Sequence, residues 1–430
     1  MKIVAFLPVK GTSSRIENKN IKLLDGKPLF LHTLEKLLQC DIIDEVYLDT
    51  ESNEVIGMAS HLNHFVLKRD HSLADNKTDG NKLFMNEVRQ VDADIYIQIL
   101  CTSPFIETNT IKLAINQIVH SKYDSAVLVR DEKLYTWTDG KPVYDINNIP
   151  NSVDLESTTI ETMGLYIVKK ECAIQTQRRI GDNPFLVKAS IIEAIDVNWP
   201  EDFELANLIA AGLREKDRIL LDNLKSQLNS SMLSDLLDDL GYSTIINGLQ
   251  PNIIDAKIFG RAKTLKIRKL KEGDSYKGIY NALHSYNTIV PNDVIIVENE
   301  ISDYAYFGEL NANLGIRSGA VGAIVGGVTR DSADVKKLGF PVFAKGNKCI
   351  DVRRRATLDG INVPIQIEGV RILPGDLVFA DNEGIVVIPK EIEKKLLAMA
   401  MEVCMKEKSV LLDIANGIGV DELVKRNGEF

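Results

Sequence analysis

Hydrophobic and polar positions follow two different grammars along this chain. Up to about Arg218, short apolar runs alternate with stretches of helical periodicity. KIVAFLPV reads as a buried strand. KPLFLHTLEKLLQC reads as a helix with Pro28 near its first turn and Leu31, Leu34 and Leu38 on one face. DEVYLDT is the next strand and NEVIGMASHL a helix. ADIYIQIL is a strand, TNTIKLAINQIVHS a helix, and DSAVLVR and TMGLYIVK are further strands. Repeated β-α order predicts an α/β domain with a doubly wound, mostly parallel sheet. Ligands of such sheets bind beyond the C-terminal strand ends. IDVNWPEDFELANLIAAGLREK closes this half, with Pro200, Glu201 and Asp202 suited to the first turn of a long helix.

From about Met232 the pattern changes. DVIIVEN, AVGAIVGG, FPVFAKG, INVPIQIEGVRI and DLVFADNEGIVVIP are short apolar runs cut by Gly, Pro and Asn, and helical KEIEKKLLAMAMEVCMKEKSV follows them. This predicts an α+β domain with stacked sheets. The expected division is residues 1–218 and 228–430, with the boundary near 219–227. Two activities on one chain are the natural expectation.

The net charge of −10 over 430 residues argues against a general nucleic-acid binder, which needs a basic footprint. It leaves room for a small anionic substrate held by a few local cations. Five scattered cysteines without CxxC predict reduced thiols and a cytoplasmic location, and six histidines without HExxH argue against a histidine-ligated zinc. No apolar run is long enough to span a bilayer, so no membrane partner is expected.

The first stretch with chemical content is LPVKGTSSRIENKN, directly after the first strand. A turn rich in Gly and Ser can point several backbone N–H groups at one oxygen cluster. Gly11 allows close approach; Thr12, Ser13 and Ser14 add hydroxyls; Lys10, Arg15 and Lys19 add positive charge. The alternative is an ordinary strand-to-helix loop, and neither GxxxxGK[ST] nor GxGxxG is present to decide.

The ordered set of motifs does more. Pro8, Lys10, Gly11, Ser13, Lys19, Asn20, Leu24, Gly26, Lys27, Pro28 and Leu29 resemble the N-terminal signature of the CMP-acylneuraminate synthetase family, the cytidylyltransferases that activate acidic sugars. KRDHSLADN, CTSPF, MGLYIVK and IDVNWPEDFELA resemble later segments of that family in order. The resemblance implies CTP on the opening loop, with Pro8, Gly11, Thr12, Ser13, Asn20, Arg69 and Ser103 near the nucleotide. It also implies Mg²⁺ (or Mn²⁺), with Asp196 as its ligand; the alternative for Asp196 is a strand-end aspartate capping the next helix. Lys10, Arg15 and Lys19 would stabilise the departing pyrophosphate. Asp202 is read as a helix-dipole complement. Three departures stand out: Lys10 in place of the usual Arg, Asn198 in place of a second acid, and Leu100-Cys101 before Thr-Ser-Pro. The third removes a Gln associated with the sugar. Arg178 and Arg179 are offered to an acceptor carboxylate or phosphonate, or are solvated surface charge.

In the second half, AVGAIVGGVTRD places Arg330 and Asp331 directly after a glycine-ended strand. Neighbours in extended chain point opposite ways, so the pair need not be a salt bridge. GRAKT, FGEL, GGVTRD and the run NVPIQIEGVRILPGDLVFADNEGIVVIP resemble the regulator-of-ribonuclease-E-activity A family and its relatives, the 4-hydroxy-4-methyl-2-oxoglutarate aldolases. The resemblance implies a β/β/α swivelling-type fold and a divalent-metal aldolase. Asp331 would help hold the metal, Arg330 would bind the 2-oxo acid, and the backbone of Gly308, Glu309 and Leu310 would meet its carboxylate. It also implies a homo-oligomer, trimer or hexamer. Arg353, Arg354 and Arg355 are an anion site or a solvated run.

Overall fold

The structure, a computed structural model, describes residues 1–75 and 78–428. Of the KRDHSLADN motif, Asn76 lies outside the described residues. The chain forms two compact units, Met1–Ala211 and Gly212–Phe430.

In the first unit seven strands form one sheet: β1 (Ile3–Pro8), β2 (Glu45–Thr50), β3 (Phe65–Lys68), β4 (Ile95–Ile99), β5 (Ser125–Glu132), β6 (Thr158–Lys169) and β7 (Pro184–Lys188). Their order is β7-β5-β6-β4-β1-β2-β3. The β1–β2, β1–β4, β2–β3 and β5–β7 pairs are parallel, while β6 runs antiparallel to both neighbours. The helices are α1 (Leu29–Leu38), α2 (Asn53–Ala59), α3 (Gly80–Gln90), α4 (Thr108–His120) and α5 (Lys170–Thr176). Strand alternation explains why helices cover both faces. Ile3, Ala5 and Leu7 of β1 join one apolar cluster with α1 and α4, while Val4 and Phe6 join another with α3. Helix α3, strand β3 and strand β7 were not read from the sequence.

The long closing helix α6 (Pro200–Lys225) ends inside the expected 219–227 boundary, and the compact units divide at Ala211. Expected charge at its start is present: Asp202 Oδ2 accepts from the N–H groups of Asn198 (2.9 Å) and Trp199 (2.8 Å).

The second unit begins with α7 (Ser230–Asp239). Its sheet comprises β8 (Ile245–Ile246), β9 (Gln250–Pro251), β10 (Ile258–Lys269), β11 (Asp293–Asn299), β12 (Gly322–Val325), β13 (Val342–Ala344), β14 (Ala356–Ile361), β15 (Leu377–Ala380) and β16 (Ile385–Ile388). The order is β8-β16-β15-β10-β11-β12-β13-β9, with β14 also on β10. A nine-stranded mixed sheet curls on itself, and the two-stranded pair Ile365–Ile367 and Val370–Ile372 packs into the same core. A single cluster gathers Ile246, Val387, Val378, Ile296, Ile324 and Phe343, drawn from both ends of the strand order. The other face is covered elsewhere, by α7 and α10 (Glu393–Ala415) over Phe259, Phe379 and Ile388. Helices α8 (Glu309–Ser318) and α9 (Ser332–Lys337) follow β11 and β12, and α11 (Val420–Asn427) follows α10. Among the described residues no helix is long and apolar enough to cross a membrane.

Candidate functional site

Strand β1 is buried along its whole length and delivers the opening loop at its C-terminal end. The loop borders a cavity of about 350 Å³ lined by Pro8, Lys10, Thr12, Ser13, Ser14, Arg15, Lys19, Asn20 and Arg69, among others. Most residues expected to meet the nucleotide are therefore brought together. Several are held by traceable contacts. The Asn20 amide donates to Lys10 O (2.7 Å) and accepts from the Cys101 thiol (3.4 Å), clipping the loop to the strand below. Lys19 is buried and its ammonium donates to Val197 O (2.9 Å). Burial, and then Arg15, push its pKa below the ordinary lysine value, while Cys101 and Asp196 oppose the shift. Arg15 lies over the Trp199 ring at 5.3 Å. Arg69 forms a buried two-pronged ion pair with Asp49, Nε–Oδ1 and Nη2–Oδ2 both 3.0 Å.

Two expectations are corrected here, and the two arginines offered to the acceptor differ in their surroundings. Gly11 does not offer its N–H to a ligand: it donates to Glu51 Oε1 at 2.6 Å. Its role is close packing, because a Cβ there would sit 2.7 Å from Ser52 Cβ. Ser103 lies below the cavity rather than on its lining. Its Oγ is buried without a partner, 2.7 Å from where a Cβ on Gly164 would sit. Arg178 is exposed and paired with Asp182 at 2.5 Å, the ordinary surface reading. Arg179 departs from that reading. It is half-buried, 3.9 Å over the Tyr166 ring, with Nη1 donating to Gln98 Oε1 at 3.4 Å. Leu73, Asp75 and Thr78 also line the cavity and were missed, because the segment between β3 and α3 carries no periodicity.

Asp196 lies beside Lys19 at the end of the segment that pairs with Thr102. The Asn198 amide donates to its Oδ2, while its Oδ1 is buried with no partner. An unpartnered buried carboxylate oxygen next to a phosphate-sized cavity fits a divalent cation. Among the described residues no three His, Cys, Asp or Glu side chains gather, so Asp196 would serve with phosphate oxygens and water, the usual habit of Mg²⁺.

In the second unit the chain turns sharply after Thr329. Asp331 adopts a left-handed φ of 52° and opens α9. That turn corrects the expectation of divergent neighbours: Arg330 Nε bonds Asp331 Oδ2 at 3.2 Å. Arg330 Nη1 also bonds Asp351 Oδ2 at 3.0 Å. A Cβ on Gly308 would lie 2.5 Å from Asp331 Oδ2 and displace that carboxylate, and the Glu309 N–H reaches the same oxygen at 3.4 Å. The Leu310 side chain is 78% exposed and contributes no contact to the pair. A cavity of about 410 Å³ adjoins Arg330 and Asp331, with Asn347, Lys348 and Cys349 on its other wall, three residues the sequence did not mark. Arg353, Arg354 and Arg355 are all exposed, as a solvated run would be, with Arg354 and Arg355 lying over the rings of Tyr276 and Tyr304.

The cytidylyltransferase family model matches residues 4–159, and the Aldolase/RraA model matches residues 230–387. The chain belongs to the Aldolase/RraA family through its C-terminal unit, and its N-terminal unit is similar to the cytidylyltransferases. A CMP-N,N'-diacetyllegionaminic acid synthase from Legionella pneumophila is 29% identical over 228 residues, 48% of this chain and 94% of that protein. A putative 4-hydroxy-4-methyl-2-oxoglutarate aldolase from Halalkalibacterium halodurans is 30% identical over 172 residues, 40% of this chain and 77% of that protein. Protein DlpA of Legionella pneumophila is 28% identical over 207 residues, 47% of this chain. The chain spans only 33% of DlpA.

Proposed function

We propose that the N-terminal unit transfers a cytidylyl group from CTP to an acidic sugar of the ulosonic acid class, or to a phosphonate. The observation that carries this reading is the cavity beyond β1, where Lys10, Arg15, Lys19 and Arg69 converge with the hydroxyls of Thr12, Ser13 and Ser14. Such a lining suits a polyphosphate, and the cytidylyltransferase family supports the choice of base. An acceptor oxygen bonds the α-phosphorus as the bond to the bridging pyrophosphate oxygen breaks, and the acceptor hydroxyl proton leaves to solvent. The protein's part is to receive the charge accumulating on pyrophosphate, with Lys10, Arg15 and Lys19 as the receiving groups. A bound Mg²⁺ held by Asp196 adds further neutralisation of phosphate charge when present.

The C-terminal unit is read as a divalent-metal 2-oxo-acid lyase, with Asp331 toward the metal and Arg330 toward the oxo acid. Its relatives include a protein named as a putative aldolase. The reading includes a homo-oligomer, trimer or hexamer, working in the cytoplasm. A second reading has its own support: Arg330 lies against two carboxylates, as it would in a unit kept for oligomerisation or protein binding.

Trp199 gives a direct test. Titrating CTP with Mg²⁺ is expected to change tryptophan fluorescence as Arg15 leaves the ring for phosphate. Pyrophosphate release is expected with at least one acid from a panel of ulosonic acids and phosphonates. No fluorescence change, no heat on titration and no release from any acceptor would overturn the first reading. Intact biological activity in Arg330→Ala and Asp331→Ala would favour the non-catalytic C-terminal unit.

A further inference from the structure

Helix α3 buries Phe84, Met85 and Val88, and on the same face it buries a carboxyl group, Glu87, which is 0% exposed. A lone carboxylate there carries a heavy desolvation cost. Its Oε2 accepts from Gln98 Nε2 at 2.7 Å, and its Oε1 finds no donor. The group beside it is the fully buried Asp49 carboxylate, which already accepts from Arg69. Two adjacent buried carboxyl groups served by one arginine favour sharing one proton. Burial, and then Asp49, push Glu87 well above the usual carboxylate range, which favours its neutral form with the unpartnered Oε1 as the atom free to serve Asp49. Gln98 then continues the line: its Nε2 serves Glu87 and its Oε1 accepts from Arg179 at 3.4 Å. The Arg179 guanidinium passes over Gly80, where a Cβ would lie 2.5 Å from Cζ, and rests on Tyr166. The groups facing Glu87 are thus Asp49 on β2, Arg69 after β3 and Gln98 on β4.

We propose that Glu87 is a positioning residue for the N-terminal site. Through Asp49 it fixes Arg69 on the cavity wall, and through Gln98 it fixes Arg179, so that one buried hydrogen-bonded chain sets both arginines. The inference rests on the reading of that cavity as a CTP site. Its content beyond that reading is that the two arginines are set together, by a residue that touches neither the cavity nor solvent.

The test compares Glu87→Gln with Glu87→Leu in the full chain, reading CTP affinity by calorimetry and the fold by circular dichroism. Glutamine keeps both connections, donating from its amide nitrogen to Asp49 and accepting through its oxygen from Gln98. It is expected to bind CTP within about threefold of wild type. Leucine leaves Asp49 without its donor, and affinity is expected to fall about tenfold or more, a loss of the size left by an unsatisfied buried group. Gln98→Met removes the link to Arg179 and a donor to Glu87; it is expected to raise the KM for the acidic acceptor by a larger factor than it weakens CTP binding. If Glu87→Leu does not fold, Glu87→Gln and Gln98→Met still decide the matter. The inference is overturned if a folded Glu87→Leu binds CTP like wild type, if Glu87→Gln loses as much as Glu87→Leu, or if Gln98→Met leaves the acceptor KM unmoved. Absence of CTP binding by the wild-type protein is a different failure: it removes the nucleotide reading itself, before any variant is compared.

Discussion

The two cavities handle cationic side chains in opposite ways. In the N-terminal unit, Lys10, Arg15, Lys19 and Arg69 are spread around one cavity, and their supports come mainly from carbonyls, aromatic rings and a carboxylate set back in the sheet. In the C-terminal unit, Arg330 lies against Asp331 and Asp351 at 3.2 and 3.0 Å at the cavity itself. The first arrangement presents a positive field to an incoming polyphosphate. The second is already neutralised, so a carboxylate ligand must compete with Asp351, and a cation must draw Asp331 away from Arg330. Anion affinity is therefore expected to be built into the first site, and to depend on the cation in the second.

The largest expected effect is on the first site alone. Lys19→Ala is expected to lower CTP turnover by about 100- to 1,000-fold, the range for removing a charge-stabilising donor, while oxo-acid cleavage holds. Equal loss of both activities would break the comparison, because it requires independent sites. Next, Asp331→Asn is expected to lower metal-dependent oxo-acid cleavage by at least about tenfold with CTP turnover unchanged, since changes even outside the ligand shell of a metal site have that effect. A smaller shift comes from Asp351→Ala. It is expected to tighten binding of an oxo-acid analogue such as oxalate about two- to fivefold, the worth of a half-exposed ion pair. Weaker binding would mean that Asp351 orients Arg330 rather than competing for it.

The smallest effects concern stability, and their sign differs between the units. Burial pushes His32 down to about 3, with its ring held against Leu24 O at 2.8 Å. A folded value below the unfolded one means that the N-terminal unit loses stability as pH falls below about 6.5. Burial pushes Asp293 up to about 6, against the pull of Lys263. A raised carboxyl value means that the C-terminal unit loses stability as pH rises from about 4 to 6. Asp293→Asn is therefore expected to be more favourable to Tm at pH 7 than at pH 4, by calorimetry. An effect that does not change between the two pH values would show that Asp293 keeps its ordinary titration.

Legibility in the sequence divided along physical lines. Strand β1, α1, β4 and α4 were readable because their apolar residues form long runs or repeat at helical spacing, with β1 ending at Pro8 and α4 capped by Ser121. Helix α3 was not, because GNKLFMNEVRQ mixes a buried Glu87 into its apolar face, and the residue that spoiled the pattern is the one with a role in the site. Strands β3 and β7 are short and partly exposed, so they carry little alternation. Most of the cavity lining was legible because it follows one strand end. Gly11 was misread because glycine has two uses, approach to a ligand and approach to a neighbouring chain segment, and only the coordinates show Ser52 behind it. The Arg330–Asp331 bond was missed because a left-handed aspartate is invisible in sequence.

That last use of glycine has a practical side for anyone redesigning the pocket. Thr12 and Ser14 line the cavity with exposed side chains, so new acceptor or nucleotide preferences can be sought there. Position 11 has no such latitude: any side chain would push the loop off Glu51 and Ser52 and carry the cations with it. A library that randomises the whole loop spends most of its members on that one fault; one that holds Gly11 fixed does not.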